Sequence, residues 1–470
     1  MPTATSTATP PADRELELDW LDDLVATHRE QLGVPGVTVA VLHDGAVATS
    51  VSGVANLNTG APVTPDTRFL IGSISKVVTG TLLLQHLDRG ELELDAPVRG
   101  YLPEFRIADA EATEAITIRH LLTHTSGIEG DHFEDFGRGD DAIDRYLESV
   151  AKIGLIHDVG ALFSYCNTGW VVAGRVLETL RGQRYRNILK ESLLPVLGMT
   201  QTTTAPEETI LHAAAVGHVD DGSGELRATS VYALPASMGP AGTVLCSTPR
   251  DLLRFAQLHI DEGRAPDGNP FLSPETARAM REPQAEIPVP SRNTWIGLGW
   301  LTMQREATTF ISHSGGTTGQ FSQLLVAPEH GFAIASQTNG PNGRAFNSAI
   351  GNEVTRRLVG TTAWETPSLD QVDDTVDLDR YVGVYERLSM RATVARHEDG
   401  LRMTSIPVGT TTSDEAEAKQ EVLDLAPLDE TFFVARNGEG AAAAIIGFLL
   451  PDEDGRPTYA YAGRIARRVG

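Results

Sequence analysis

The stretch VTVAVLHDGAVATSVSGVAN, Val37 to Asn56, places two valine-rich runs on either side of Asp44-Gly45. Asp-Gly is a tight-turn pair, so the stretch reads as a β-hairpin. A helix is expected to start near Ser73, run through VVTGTLLLQHLD and stop at Arg89-Gly90, where glycine supplies a left-handed end. From about Asp95 to Glu282 the pattern is mostly helical. ITIRHLLTH and TGWVVAGRVLETLRG are its clearest segments, and in the second Trp170, Ala173, Leu177 and Leu180 share a face that Gly182 closes. Short β-rich runs return from Trp295: WIGLGWL, TTFISHS, QFSQLLVAP and GFAIASQTN. The hairpin and these late strands bracket the helical block. The economical arrangement is an α/β (α+β) fold in which early and late strands form one antiparallel sheet, flanked by helices, with an inserted all-helical lobe. A cleft between sheet and lobe is the natural place for a site.

The composition shifts at TPSLDQVDDTVDLD, Thr366 to Asp379, which is polar, acidic and contains proline, as linkers do. Beyond it, YVGVYE, MRATVARHEDGLRMTS, ETFFVARN and TYAYAGRIARRV read as short strands, with turns at Asp399-Gly400 and Asp454-Gly455, and predict a small β-barrel or sandwich. The expected organisation is a flexible tail over 1–14, a main domain over 15–362, a linker over 363–377 and a β domain over 378–470.

The length of 470 residues fits two domains, and 41% apolar with 21% charged residues fits a globular protein. A net charge of −25 would repel phosphates, which argues against nucleic-acid and anionic-membrane partners. MPTATSTATPPAD has neither a basic start nor an apolar core, so it does not read as a secretory signal. The longest apolar run, Ala441 to Leu450, is too short to span a bilayer. A cytoplasmic location is therefore expected. The two cysteines, Cys166 and Cys246, define neither a disulfide scaffold nor a metal site. Oligomeric state stays open.

Three groups of residues carry chemistry. Ser73 and Lys76, three apart on a helix, share a face, so the amine can reach the hydroxyl. Their apolar surroundings would desolvate the lysine, and a desolvated amine loses its proton more readily and can take one from serine. On its own Ser-x-x-Lys is short enough to recur by chance, and a surface lysine on an exposed turn fits it equally. In FSYCNTGW, Tyr165 and Asn167 stand just before a helix, either as core and N-cap or as a phenol and an amide facing a cleft. A cation beside that phenol would ease its ionisation. In ISHSGGTTGQ, His313 ends a strand and Gly315 and Gly316 follow. They read as an ordinary hairpin, or as a backbone approach whose N–H, with that of Ser73, could bind an oxyanion.

Taken in order, Ser-x-x-Lys, Tyr-x-Asn and His-x-Gly resemble the serine hydrolases related to class C β-lactamases and penicillin-binding proteins. FLIGSISKVVTGTLLLQHLDRGELELDAPV, IRHLLTHTSGI and WIGLGW look typical of that family, and the resemblance covers about Leu21 to Leu358. It implies an α/β sandwich with a helical lobe. It makes Ser73 the acylated nucleophile, Lys76 its proton partner, Tyr165 a general base and acid, and Asn167 a substrate-orienting hydrogen bonder. His313 and Gly315 match the third motif, with Gly316 offering the second oxyanion N–H. The tail from about Leu378 resembles the lipocalin-like domain of some members, on YVGVY and GRIARRV. One departure is that His313-Ser314-Gly315 stands where the β-lactamases usually carry Lys-Thr-Gly. The histidine form is similar to that of esterases, D-amino-acid peptidases, transacylases and penicillin-binding-type thioesterases, which puts efficient β-lactam hydrolysis in question. The expected substrate is a small-molecule or peptide ester or amide, with neither metal nor organic cofactor. A receptor that acylates once, or not at all, is the rival.

Other features carry less. His120 and His124 stand i, i+4 on an expected helix, but no H-E-x-x-H follows and the run matches HLLTHTSG of the family. Cys166 should point away from the cleft if its neighbours face it, as a spectator thiol. The acidic run Glu129 to Asp141 reads as a solvated loop, or as a rim that tunes substrate choice.

Overall fold

The computed structural model describes residues 14–220, 222–291, 293–365, 372–408, 420–436 and 442–470. Most of the expected tail and part of the expected linker lie outside the described residues. The elements used below are, in chain order, α1 (Leu21–Gln31), β1 (Gly36–His43), β2 (Ala46–Asn56), α2 (Ile74–Asp88), α3 (Asn167–Arg181), α4 (Pro249–Ile260), β3 (Leu301–Arg305), β4 (Thr308–Thr317), β5 (Gln320–Ala327), β6 (Phe332–Thr338) and α5 (Gly343–Leu358). Eight further strands follow: β7 (Gly383–Arg387), β8 (Met390–His397), β9 (Gly400–Pro407), β10 (Glu421–Pro427), β11 (Phe432–Arg436), β12 (Ala442–Pro451), β13 (Pro457–Tyr461) and β14 (Ile465–Arg468).

The chain divides into two compact units, one of residues 1–92, 177–282 and 298–364, the other of residues 93–176, 283–297 and 365–470. In the first, the strands run β2-β1-β6-β5-β4-β3 in an antiparallel sheet, and Arg14–Glu15 adds in parallel beside β2. The early hairpin and the late strands thus share one sheet, as the sequence pattern predicts. β1 and β2 pair from His43↔Ala46 to Gly36↔Gly53, and both turn residues, Asp44 and Gly45, have positive φ, which matches the right-handed twist of the strands. β6 joins the two groups through Ile334↔Val41 and its neighbours.

Along β1, Val37, Val39 and Val41 enter a core with Val25 of α1 and Phe346, Ile350 and Val354 of α5. The intervening Thr38, Ala40 and Leu42 are also buried, and α4 packs on β1, β5 and β6. A strand covered on both faces reads as a continuous apolar run, which is what VTVAVL shows. α2 is buried along nearly its whole length, which is unusual for a helix bearing a lysine.

The second unit contains short helices, among them Ile118–Leu122 and Ala142–Val150, and a closed antiparallel barrel, β7 to β14 in sequence order. The barrel interior is filled: Tyr381, Tyr385, Phe433 and Phe448 meet edge-on, with ring centroids 4.8 to 5.6 Å apart. The helix expected over ITIRHLLTH is shorter than the pattern suggested. Thr117 caps it at one end, and it stops at Leu122, so His124 falls beyond it with φ +57. Among the described residues no helix is long and apolar enough to cross a membrane.

Candidate active site

Ser73 stands at the N-cap of α2 with Lys76 one turn on. Lys76 is fully buried, and its Nζ donates to Ser73 Oγ at 3.1 Å and to the carbonyl oxygen of Ala241 at 2.5 Å. That carbonyl belongs to a short 3-10 turn, Ala236–Ala241, held in place by Thr79, whose hydroxyl donates to Pro240 O at 2.9 Å and meets the Tyr185 hydroxyl at 2.8 Å. The amine is thus fixed between hydroxyl and carbonyl inside an apolar helix.

The end of β4 lies directly on the loop before Ser73. A Cβ at Gly315 would come within 1.9 Å of Ile71 O, and one at Gly72 within 2.8 Å of Gly316 N. Gly72 also has φ +54, which favours glycine there. Gly242, at φ +132, closes the third side, where a Cβ would lie 2.8 Å from Ser73 N. Three glycines therefore let backbone meet backbone around the serine. His313 pairs with Leu324 in the sheet, and its Nδ1 lies 2.8 Å from Ser314 O. Burial, reinforced by the charge of Lys76, pushes its pKa down to about 3, so the imidazole is neutral at physiological pH. Ser73, Lys76, His313, Gly315 and Gly316 are all gathered in the first unit.

Tyr165 and Asn167 belong to the second unit. Asn167 opens α3 and its N–H donates to Gly130 O at 3.2 Å. Tyr165 lies in an irregular segment, and its ring has two partners. One face stacks on His124, with centroids 4.3 Å apart and planes 24° apart, and the Arg464 guanidinium sits 5.0 Å from the ring centre. The backbone is bound as well. Tyr165 N–H donates to Gly463 O at 3.2 Å, and Ile465 N–H donates to Ser164 Oγ at 3.2 Å, so the β13–β14 hairpin of the barrel is laced to this segment. Asp131, almost buried, draws two barrel arginines together. Arg387 Nη1 donates to its Oδ2 at 2.5 Å, and Arg464 Nε lies 2.7 Å from Oδ1, a charge contact without hydrogen-bond alignment. Cys166 is buried, its backbone N–H donates to His124 Nδ1, and its sulfur accepts from Gly169 N–H. Burial drives its thiol pKa up to about 11, so it is a poor nucleophile.

A family model described as Beta-lactamase matches residues 21–354. The chain belongs to the beta-lactamase family. "Penicillin-binding protein 4" of Amycolatopsis lactamdurans is 37% identical over 366 residues, covering 76% of this chain and 95% of that protein. "Esterase EstB" of Burkholderia gladioli is 28% identical over 310 residues, 58% of this chain and 76% of its own. Among solved structures, that of SurE aligns with a TM-score of 0.74 at 25% identity, covering 96% of this chain and 99% of that one, barrel included.

Within this beta-lactamase-family chain, sequence reasoning missed the groups that contact the motif residues from a distance. Ala241 acts through its carbonyl, and a peptide carbonyl leaves no trace in residue type. Arg464 lies in GRIARRV among several arginines, and nothing local marks it as the one that reaches Tyr165. His124 has a signal, since it stands in the HLLTHTSG run, but its i, i+4 spacing to His120 suggests a zinc ligand rather than a partner of Tyr165. Its ring instead supports the segment around Tyr165, with Nε2 lying 3.2 Å from Trp170 Nε1.

Proposed function

We propose that the protein is a serine acyl-enzyme hydrolase or acyltransferase acting on an ester or amide carbonyl. The observation that carries this reading is the 3.1 Å contact of a fully buried Lys76 amine with Ser73 Oγ at the head of α2. Ser73 Oγ attacks the carbonyl carbon, and its proton passes to Lys76 in the neutral form that desolvation favours, with Tyr165 sharing the proton duty. The N–H groups of Ser73 and Gly316 receive the oxyanion, and the partial positive charge of the α2 N-terminus acts in the same sense. The C–O or C–N bond then breaks, the leaving group takes the proton, and a Ser73 ester remains. Water or an added amine or alcohol attacks that ester in the second half. Asn167 orients the substrate by hydrogen bonding.

The neutral His313 supports ester or peptide substrates over β-lactams. A lysine in the third motif would offer an ammonium to the carboxylate of a β-lactam, and an imidazole held neutral down to about pH 3 offers none. The esterase name of one relative and the penicillin-binding name of another agree with acyl-enzyme chemistry at such a serine. We place the reaction in the cytoplasm, with a small-molecule or peptide substrate, and assign 15–362 as the catalytic domain and 378–470 as an accessory one. The test is turnover of a chromogenic short-chain ester. Ser73→Ala is expected to remove it by at least a thousandfold, and intact mass measurement should find an acyl adduct on the wild type alone. Product analysis with and without an added amine separates hydrolysis from transfer. An adduct on Ser73→Ala protein, or a single acylation without turnover, refutes the assignment.

A further inference from the structure

The second unit contains a cavity of about 430 Å³ that the acyl chemistry does not use. Its walls come from Leu162 and Phe163 of the helical part, Pro288 of the 283–297 segment, and Phe448, Leu449 and Leu450 of the barrel. The volume lies in the range of small-molecule sites. The cavity also stands apart from the ring face that Arg464 covers. Gly160 to Phe163 line it, whereas Ser164 and Tyr165 line a separate, much smaller recess with Asp131, Arg387 and Arg464.

Leu450 is the unusual residue in its wall. Its φ is +50, a left-handed backbone that branched side chains avoid, and it is 53% exposed. Its neighbours remain paired, Leu449 with Tyr459 and Pro451 with Pro457, so the strand leaves its ladder at this one residue without a change of register. Such a conformation is disfavoured for a leucine and typically persists where a site uses it. Here it holds a leucine out of the barrel and against the cavity.

The charge around the apolar wall is acidic. Glu286 and Glu430 line the cavity, and the turn that contributes Pro451, Gly455 and Pro457 also carries Asp452, Glu453 and Asp454. Of the charged groups, Glu286, Glu430 and Arg380 line the cavity itself, and Asp452 to Asp454 and Arg456 follow in the adjoining turn. Arg380 is already engaged, donating from Nε to Gly455 O at 2.7 Å and standing 3.8 Å from Glu430. An apolar hollow with an acidic mouth favours a ligand whose hydrophobic body carries a positive charge.

We propose that this cavity, whose lining includes none of Ser73, Lys76 and Tyr165, is a second binding site for a small apolar group bearing an ammonium, such as an aryl or alkyl amine. The test uses two probes with one fluorophore and opposite charge, dansylcadaverine and dansylglycine, titrated into the full chain carrying Ser73→Ala so that the amine cannot be consumed as an acyl acceptor. Because the readout is binding alone, it stands or falls independently of the assignment of Ser73. Dansylcadaverine is expected to bind saturably at one site and at least tenfold more tightly than dansylglycine. Thr431→Trp, which fills the cavity, should weaken it at least tenfold. Leu450→Ala, which keeps the fold and trims the wall, should weaken it several-fold and serves if the tryptophan variant does not fold. The double variant Glu286→Gln/Glu430→Gln should bring the two probes within about threefold of each other. Absence of saturable binding, equal affinity for both probes, or full affinity in both Thr431→Trp and Leu450→Ala overturns the proposal.

Discussion

The segment around Ser73 and the segment around Tyr165 are built on opposite principles. The serine side encloses its lysine: Lys76 is surrounded by apolar helix, its amine is met by a carbonyl, and the nearby imidazole of His313 is held neutral, first by burial and then by that lysine. The tyrosine side collects charge. Arg464 and Arg387 converge on Asp131, and Glu129 stands beside them with its pKa raised, first by burial. The serine side is shaped by regular elements, a helix start and a strand end, in backbone contact. The tyrosine side is an irregular segment given its shape by a hairpin some 300 residues later in the chain. The surroundings of Ser73, the proposed nucleophile, thus come from local spacing and tight packing, whereas the irregular segment around Tyr165 is tied by ion pairs from elsewhere in the chain.

The sharpest way to break the comparison is on the serine side. Gly315→Ala places a Cβ where Ile71 O already lies, so β4 must move off the loop before Ser73. Turnover is expected to fall at least a hundredfold, with stability lower by about 1–3 kcal/mol, read from ester kinetics and urea unfolding. Wild-type kinetics in this variant would mean that the approach of β4 is incidental. Next in size is Asp131→Ala, which leaves two arginines facing each other without their carboxylate. Both keep partial exposure, so the cost should lie below that of a fully buried pair, at about 1–3 kcal/mol. A loss under about 0.5 kcal/mol would mean that the hydrogen bonds to Gly463 and Ser164 suffice to hold the segment.

The last prediction concerns acid. The pKa of His313 is about 3 in the folded state against about 6.5 unfolded. Between those values the unfolded chain binds a proton that the native state refuses, so stability falls as pH drops through the window, by at most about 1.4 kcal/mol per pH unit for this group. His259, likewise buried with a pKa pushed down to about 3, adds a second contribution of the same sign. His313→Asn should flatten the fall in urea midpoint between pH 6.5 and 4, and His259→Asn should do so independently. An unchanged slope in both would remove buried imidazoles as its cause.

The same contrast explains what the sequence discloses. The valine alternation around Asp44-Gly45 and the long apolar run after Ser73 express their own burial, so hairpin, helix and sheet could be read directly. Ser73, Lys76 and His313 were legible because each sits on such an element. The surroundings of Tyr165 were not. His124 looked helical by its spacing to His120, yet the helix ends two residues earlier and the chain turns left-handed there. Arg464 and Asp131 pair across more than three hundred residues, a relation that no local pattern encodes.

The three glycines around Ser73 have a consequence for how this chain can diversify. At Gly72, Gly242 and Gly315 a side chain of any size collides with main-chain atoms, so selection has no alphabet to draw on at these positions around Ser73, the proposed nucleophile. Variation that retargets the reaction has to accumulate farther out, on surfaces that tolerate substitution. The backbone contacts closest to Ser73 thus admit glycine alone, and tolerance to change begins outside them.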